Sequence, residues 1–138
     1  QSHRDTLDKL RIIPIFKGFT DLELVRLLKI CKMQKFPGGQ YIFREGEKGY
    51  TLFVVVSGRV EIRKGGGGMA RVLVTMKPGD CFGEMAIIDD SPRFADAVAV
   101  TDVTLIEVHE SIVNSNEDMI SLKLVRQIAI LLANKLRR

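Results

Sequence analysis

Hydrophobic positions along the chain follow a helical period, then a period of two, then a helical period again. Leu7, Leu10 and Ile13 lie at helical spacing behind Asp5 or Thr6, either of which can cap the helix, and Pro14 interrupts the pattern before Phe16. Thr20-Asp21-Leu22-Glu23 has the form of a capping box, with Thr at the N-cap and Glu three residues on. It opens Leu22, Val25, Leu28 and Cys31 as a second helix of about three turns.

From Phe36 the spacing changes. Turns at Pro37-Gly38-Gly39 and Glu45–Gly49 bracket Tyr41 and Phe43, and a continuous run Leu52–Val56 follows before Ser57-Gly58. Val60 and Ile62 alternate up to the flexible Gly65–Gly68 connection, beyond which Val72, Val74 and Met76 resume the pattern. Lys77-Pro78-Gly79-Asp80 turns the chain into Phe82, and Val98, Val100, Val103, Leu105 and Val108 supply the last strands. Short strands at this spacing predict a sandwich, jelly roll or barrel. The chain then returns to helix, capped by Asn114 or Ser115. One stripe holds Leu122, Val125, Ile128, Ala129, Leu132 and Leu136, and a second holds Ile120, Leu124 and Leu131. So wide an apolar surface exceeds the needs of one barrel face, which predicts a further helical partner, such as a homodimer through this helix. The expected layout is one domain over 1–138, with N-terminal helices in 1–35, a β-barrel in 36–112 and a C-terminal helix in 113–138.

The chemistry concentrates between Phe82 and Asp96. Gly83 permits close backbone approach, and Glu84, Met85 and Ala86 can begin a single helical turn whose first N–H groups are free. Arg93 follows nine positions after Glu84. Backbone N–H groups and a guanidinium fork suit a singly charged phosphodiester. A carboxylate cannot bind phosphate, so Glu84 is suited instead to accept from a hydroxyl, such as the 2′-OH beside a ribose phosphate.

Composition narrows the class without changing this picture. The 138 residues are 46% hydrophobic and 28% charged, a balance that argues against disorder. No apolar run reaches the roughly 18 residues of a membrane span and no signal-peptide pattern is present, so the cytoplasm is the expected compartment. The net charge of +4 is unevenly spread: eight Lys/Arg against four Asp/Glu in 1–40, eight against eleven in 41–116, and five against two in 117–138. Positive charge on the flanks and an acidic middle do not form a nucleic-acid groove, and solvated helix faces account for the excess. Cys31 and Cys81 sit in apolar surroundings and read as buried free thiols.

Catalytic chemistry finds little support. A metal centre of the cupin type needs two or three histidines, and the chain has only His3 and His109. Those two give no Ser/His/Asp or Cys/His set, and the Gly65–Gly68 run lacks the Lys-Ser/Thr of a P-loop. Asp89-Asp90 beside Ser91-Pro92 reads as a solvated turn. No enzyme activity is expected and no metal.

The order of helix, glycine-punctuated strands, Phe82-Gly83-Glu84-Met85-Ala86, Pro92-Arg93-Phe94-Ala95 and a closing helix resembles the cyclic nucleotide-binding domain family. That family includes the bacterial catabolite activator protein, kinase regulatory subunits and cyclic-nucleotide-gated channels. The resemblance covers nearly the whole chain, including Gly38, Gly46, Gly58, Gly79 and Asp80 at turn positions. It implies a double-stranded β-helix, or jelly roll, with N-terminal helices and a long C-terminal helix. It also implies that Glu84 accepts from the ribose 2′-OH, that the N–H of Ala86 faces the phosphate, and that Arg93 pairs with phosphate oxygens, helped by the N–H of Phe94. Base contacts in the family fall near the end of the last helix, which makes Asn134, Arg137 and Arg138 candidates.

Two positions depart from the family pattern. Where many members have Arg-Ala-Ala-Thr or Arg-Ser-Ala, this chain has Arg93-Phe94-Ala95-Asp96. Alternation with Val98 and Val100 predicts that Asp96 points into the barrel, where a carboxylate beside a phosphate is costly. Three arrangements relieve that cost: Asp96 accepts from the N1–H and N2 donors of guanine, it pairs with Arg93, or the site no longer binds cyclic nucleotide. Two functions therefore follow from the sequence. One is a regulatory module that binds cAMP or cGMP and relays occupancy through its C-terminal helix. The other is a degenerate domain of the same fold serving as an interaction or dimerisation unit.

Overall fold

A computed structural model describes residues 3–65, 69–114 and 119–136. Among the described residues, eight strands form two four-stranded antiparallel sheets. One sheet has the order β1 (Lys32–Phe36), β8 (Val103–His109), β3 (Thr51–Ser57), β6 (Cys81–Phe82). The other runs β2 (Tyr41–Phe43), β7 (Asp96–Ala99), β4 (Val60–Lys64), β5 (Arg71–Met76). Phe53, Val55 and Leu105 of the first sheet meet Val60, Ile62, Ala97 and Ala99 of the second in one buried cluster, the interior of a jelly roll.

The run Leu52–Val56 is apolar throughout because β3 has no solvent face. Phe53 and Val55 point into the barrel, while Leu52 and Val54 point outward and join Ile106 and Val108 beneath a layer of helices. That layer consists of α1 (His3–Arg11), a 3-10 turn at Pro14–Phe16, α2 (Asp21–Ile30), α4 (Glu110–Val113) and α5 (Met119–Leu136), with α3 (Met85–Ile88) at the barrel rim. Leu10, Ile15, Phe16, Leu24, Leu27, Ile120 and Leu124 fill the space between helices and sheet.

The capping box forms as expected. Thr20 Oγ accepts the Glu23 N–H at 3.2 Å and Glu23 Oε1 accepts the Thr20 N–H at 2.9 Å. The same Glu23 carboxylate receives Lys123 Nζ at 2.5 Å, so the start of α2 is tied to α5. These two partners and the Thr20 backbone hold its carboxyl below the usual range. Ser121 Oγ donates to the Ile112 carbonyl and links α5 to α4.

Several boundaries differ from the sequence expectation. Helix α1 begins at His3, so Asp5 lies inside its first turn rather than at a cap. The first strand starts at Lys32, four residues before Phe36; its residues are half-buried or exposed, so no apolar alternation marks them, and pairing with β8 alone defines it. The end of β8 passes into a separate short helix, α4, whose N-cap is His109: its Nδ1 accepts the Ser111 N–H at 3.1 Å. Asn114 closes α4 rather than opening α5, and Ser115 lies outside the described residues, as do Gly66–Gly68. Among the described residues no helix is long and apolar enough to cross a membrane.

The phase of β7 is the largest correction. Ala95, Ala97 and Ala99 point into the barrel, so Asp96 and Val98 occupy the outer face, and Val100 is exposed beyond the strand end. All four β7 residues are buried, so burial gives no alternation, and the interior already holds the rings of Phe43, Phe53 and Phe82 with centroids 5.2–6.0 Å apart. That packing leaves room on the neighbouring strand for methyl groups.

Candidate functional site

A cavity of about 480 Å3 opens where the barrel rim, the Pro14–Phe16 turn and α5 meet. Its polar end is built from Gly83, Glu84 and Arg93; its apolar walls include Leu52, Ile62, Val74 and Met76 from the strands and Ile15, Ile128 and Leu131 from the helical layer. Met85, Pro92, Phe94 and Asn134 also border it. The sequence-predicted residues Gly83, Glu84, Met85, Arg93 and Phe94 therefore converge on one cavity, with Ala86 in the first turn of α3. Asn134 reaches the same cavity from α5, while Arg137 and Arg138 lie outside the described residues.

Arg93 is the centre of this end. Only 7% of it is exposed, yet it faces no carboxylate at salt-bridge distance among the described residues. Its guanidinium lies 4.3 Å from the Phe43 ring centroid and 5.6 Å from that of Phe53. Nη1 donates to the Gly83 carbonyl at 3.2 Å and Nη2 to the Thr51 carbonyl at 3.0 Å. Nε is buried without a hydrogen-bond partner among the described residues. Burial pushes the guanidinium pKa down, and the charge of Glu47 opposes that shift. A buried cation with an orphaned donor, opening on a cavity, has the chemistry of an anion receptor.

Two glycines make the seat. A Cβ on Gly49 would lie 2.3 Å from Nη2, and one on Gly83 would lie 2.8 Å from Nη1 and 3.1 Å from the Thr51 carbonyl oxygen. Gly83 also has φ +84, so both its conformation and its surroundings favour glycine. The backbone of Arg93 is held as firmly: its N–H donates to the Glu47 carbonyl at 2.8 Å and its carbonyl accepts the Gly46 N–H at 2.7 Å. Gly49, Thr51, Phe43 and Phe53 were not legible as site residues, because the sequence marks the first only as part of a turn and the rest only as strand.

Glu84 occupies the N-cap position of α3 with φ −65 and ψ −28, so the helical path has begun before Met85. At the start of α3 the Ile87 N–H donates to the Glu84 carbonyl at 3.1 Å.

Asp96 does not look into the cavity. Its carboxylate lies on the outer face of β7, opposite Arg63 in register, and Oδ1 accepts the Glu45 N–H at 2.7 Å. It neither borders the cavity nor pairs with Arg93. The predicted contact with guanine and the predicted Arg93 pair both assumed the opposite phase of β7. Burial of the carboxylate at 8% exposure is compensated by a backbone donor, and its position pins the 45–47 turn against Arg93.

Comparison with known proteins agrees with this geometry. Residues 33–115 match the family model described as "Cyclic nucleotide-binding domain". The chain is 34% identical over 128 residues to the CRP-like cAMP-activated global transcriptional regulator of Mycobacterium tuberculosis, covering 90% of this chain and 55% of that protein. It is 35% identical over 130 residues to the cyclic AMP receptor protein of Thermus thermophilus, covering 90% and 57%. The chain thus spans about half the length of these relatives. In three dimensions it resembles the crystal structure of the N-terminal domain of a transcriptional regulator from Streptomyces coelicolor, with TM-score 0.76, 26% identity, and coverage of 93% of this chain and 92% of that one. A buried arginine seated on two glycines at the mouth of a jelly roll, carried by a sequence that matches over this range, makes the chain a member of the cyclic nucleotide-binding domain family.

Proposed function

We propose that the cavity binds a cyclic nucleoside monophosphate, cAMP or cGMP, and that the chain is a regulatory module rather than an enzyme. The observation that carries this reading is Arg93: buried, seated on Gly49 and Gly83, and with Nε unpartnered at the polar end of a nucleotide-sized cavity. In this reading its guanidinium pairs with the phosphate oxygens, the N–H groups of Ala86 and Phe94 add donors, and Glu84 accepts from the ribose 2′-OH. The names of the two bacterial relatives, both referring to cyclic AMP, support the same ligand class.

Ile128, Leu131 and Asn134 of α5 border the cavity, so a ligand that contacts them favours one position of α5 over others. This is the route by which occupancy reaches the rest of a longer regulator. Thermal unfolding with and without cAMP or cGMP tests the proposal: the ligand raises the midpoint of the parent chain and leaves that of Arg93→Ala unchanged. Absence of any rise at millimolar ligand in the parent overturns it. The second reading, an interaction or dimerisation unit, then stands on the exposed Leu122 and Val125 of α5.

A further inference from the structure

We propose that Phe94 is the platform on which the base of the bound nucleotide stacks; this rests on the reading of the cavity as a cyclic nucleotide site. Phe94 follows Arg93 directly, yet its ring belongs to neither buried cluster and 60% of the residue is exposed. Exposure of a phenylalanine beside a cavity leaves unsatisfied the apolar area that such a ring normally buries. Phe94 borders the same cavity as Arg93, and Ile62, Val74 and Met76 border it too. An aromatic residue and aliphatic residues beside a buried guanidinium on one cavity have the chemistry of a nucleobase site.

The residue is also held in place. Lys64 Nζ donates to the Phe94 carbonyl at 2.5 Å, forms an ion pair with Glu45 Oε2 at 3.1 Å and lies 5.8 Å from the Phe94 ring centroid. Glu45 in turn donates its N–H to Asp96 at 2.7 Å. Residues 94 and 96 are therefore both fastened to the 45 turn, on either side of the buried Ala95. A backbone held at the Phe94 carbonyl loses little freedom when a base settles on the ring, which favours affinity. The Lys64 ammonium near that ring adds attraction to an electron-rich stacked pair.

Stacking uses the π-face that every base possesses and reads no hydrogen-bonding edge. Phe94 therefore strengthens cAMP and cGMP alike and sets the affinity for purine over smaller bases, rather than the choice between adenine and guanine. The chain contains no tryptophan, so Phe94→Trp introduces a single fluorescent reporter at the platform. The expected result is quenching of that tryptophan on titration with cAMP or cGMP. In calorimetry, Phe94→Ala weakens both purine nucleotides roughly tenfold while weakening the pyrimidine analogue cCMP less. Unchanged purine affinity in Phe94→Ala, with no quenching in Phe94→Trp, overturns the platform. If the parent chain binds none of the three nucleotides, the reading of the cavity itself has failed; if it binds them but Phe94→Ala leaves affinity intact, only the stacking role has.

Discussion

Gly49 lies so close beneath Arg93 that a methyl group there would stand 2.3 Å from Nη2, 2.4 Å from Nε and 2.5 Å from Cζ. The atoms it would strike are the far end of a long side chain rather than backbone, and Gly49 does not have a positive φ. Gly49→Ala should therefore displace the guanidinium while costing the fold little, roughly 1 kcal/mol or less. The expected signature is a near-normal urea midpoint together with a loss of cyclic nucleotide affinity of tenfold or more, measured by calorimetry. Parent-like affinity in a folded Gly49→Ala would show that the seat observed for Arg93 is not the one used in binding.

Asp96 gives the opposite balance. Its bond to the Glu45 N–H secures a turn and Asp96 does not line the cavity, so Asp96→Ala should lower stability by about 1 kcal/mol by removing that acceptor. The ratio of cAMP to cGMP affinity should stay the same in Asp96→Ala and Asp96→Asn. A change in that ratio would require the carboxylate to reach the base, contrary to its place opposite Arg63.

Leu124 is fully buried between α5 and the helices that cover the first sheet. Leu124→Ala should destabilise the chain by about 2–5 kcal/mol through lost burial and the cavity left behind. Urea unfolding checks it: a lower midpoint with an unchanged slope is expected.

The Cys31 thiol is pushed by burial from 9.0 up to about 12. Because the folded-state value is the raised one, the stabilisation it gives is complete below the unfolded value and is lost as pH climbs from 9 toward 12. Stability should thus fall more steeply on the alkaline side in the parent than in Cys31→Ala, with parallel curves near neutrality. The same burial predicts slow reaction of Cys31 with thiol reagents in the folded state, lifted by urea.

The cavity-lining residues that lie in one stretch, Gly83, Glu84 and Arg93, stand out in the sequence because each residue type suits a chemical role at that spacing. The seat of Arg93 does not, since Phe43, Gly49 and Thr51 come from separate segments that only the sheets bring together. The start of α2 was legible from its capping box, but its buried face was not: Leu24 and Leu27 are fully buried, whereas Leu22 of the expected stripe is 79% exposed. In β7 alanine and valine are both buried, so the direction of Asp96 depends on which face the three Phe rings already fill. In β1 the reverse holds: no residue is fully buried, and its strand character comes entirely from hydrogen bonding to β8.

Ile15 lies before the stretch 33–115 that carries the family pattern, and Ile128, Leu131 and Asn134 lie after it, yet all four wall the cavity. The same is true of most side chains that cover Leu52, Val54, Ile106 and Val108. A fragment trimmed to residues 33–115 would keep Gly83, Glu84 and Arg93 at the polar end of the cavity and still expose a greasy sheet face to water. The smallest soluble unit of this fold is therefore set by its helices and is larger than the segment by which the family is recognised.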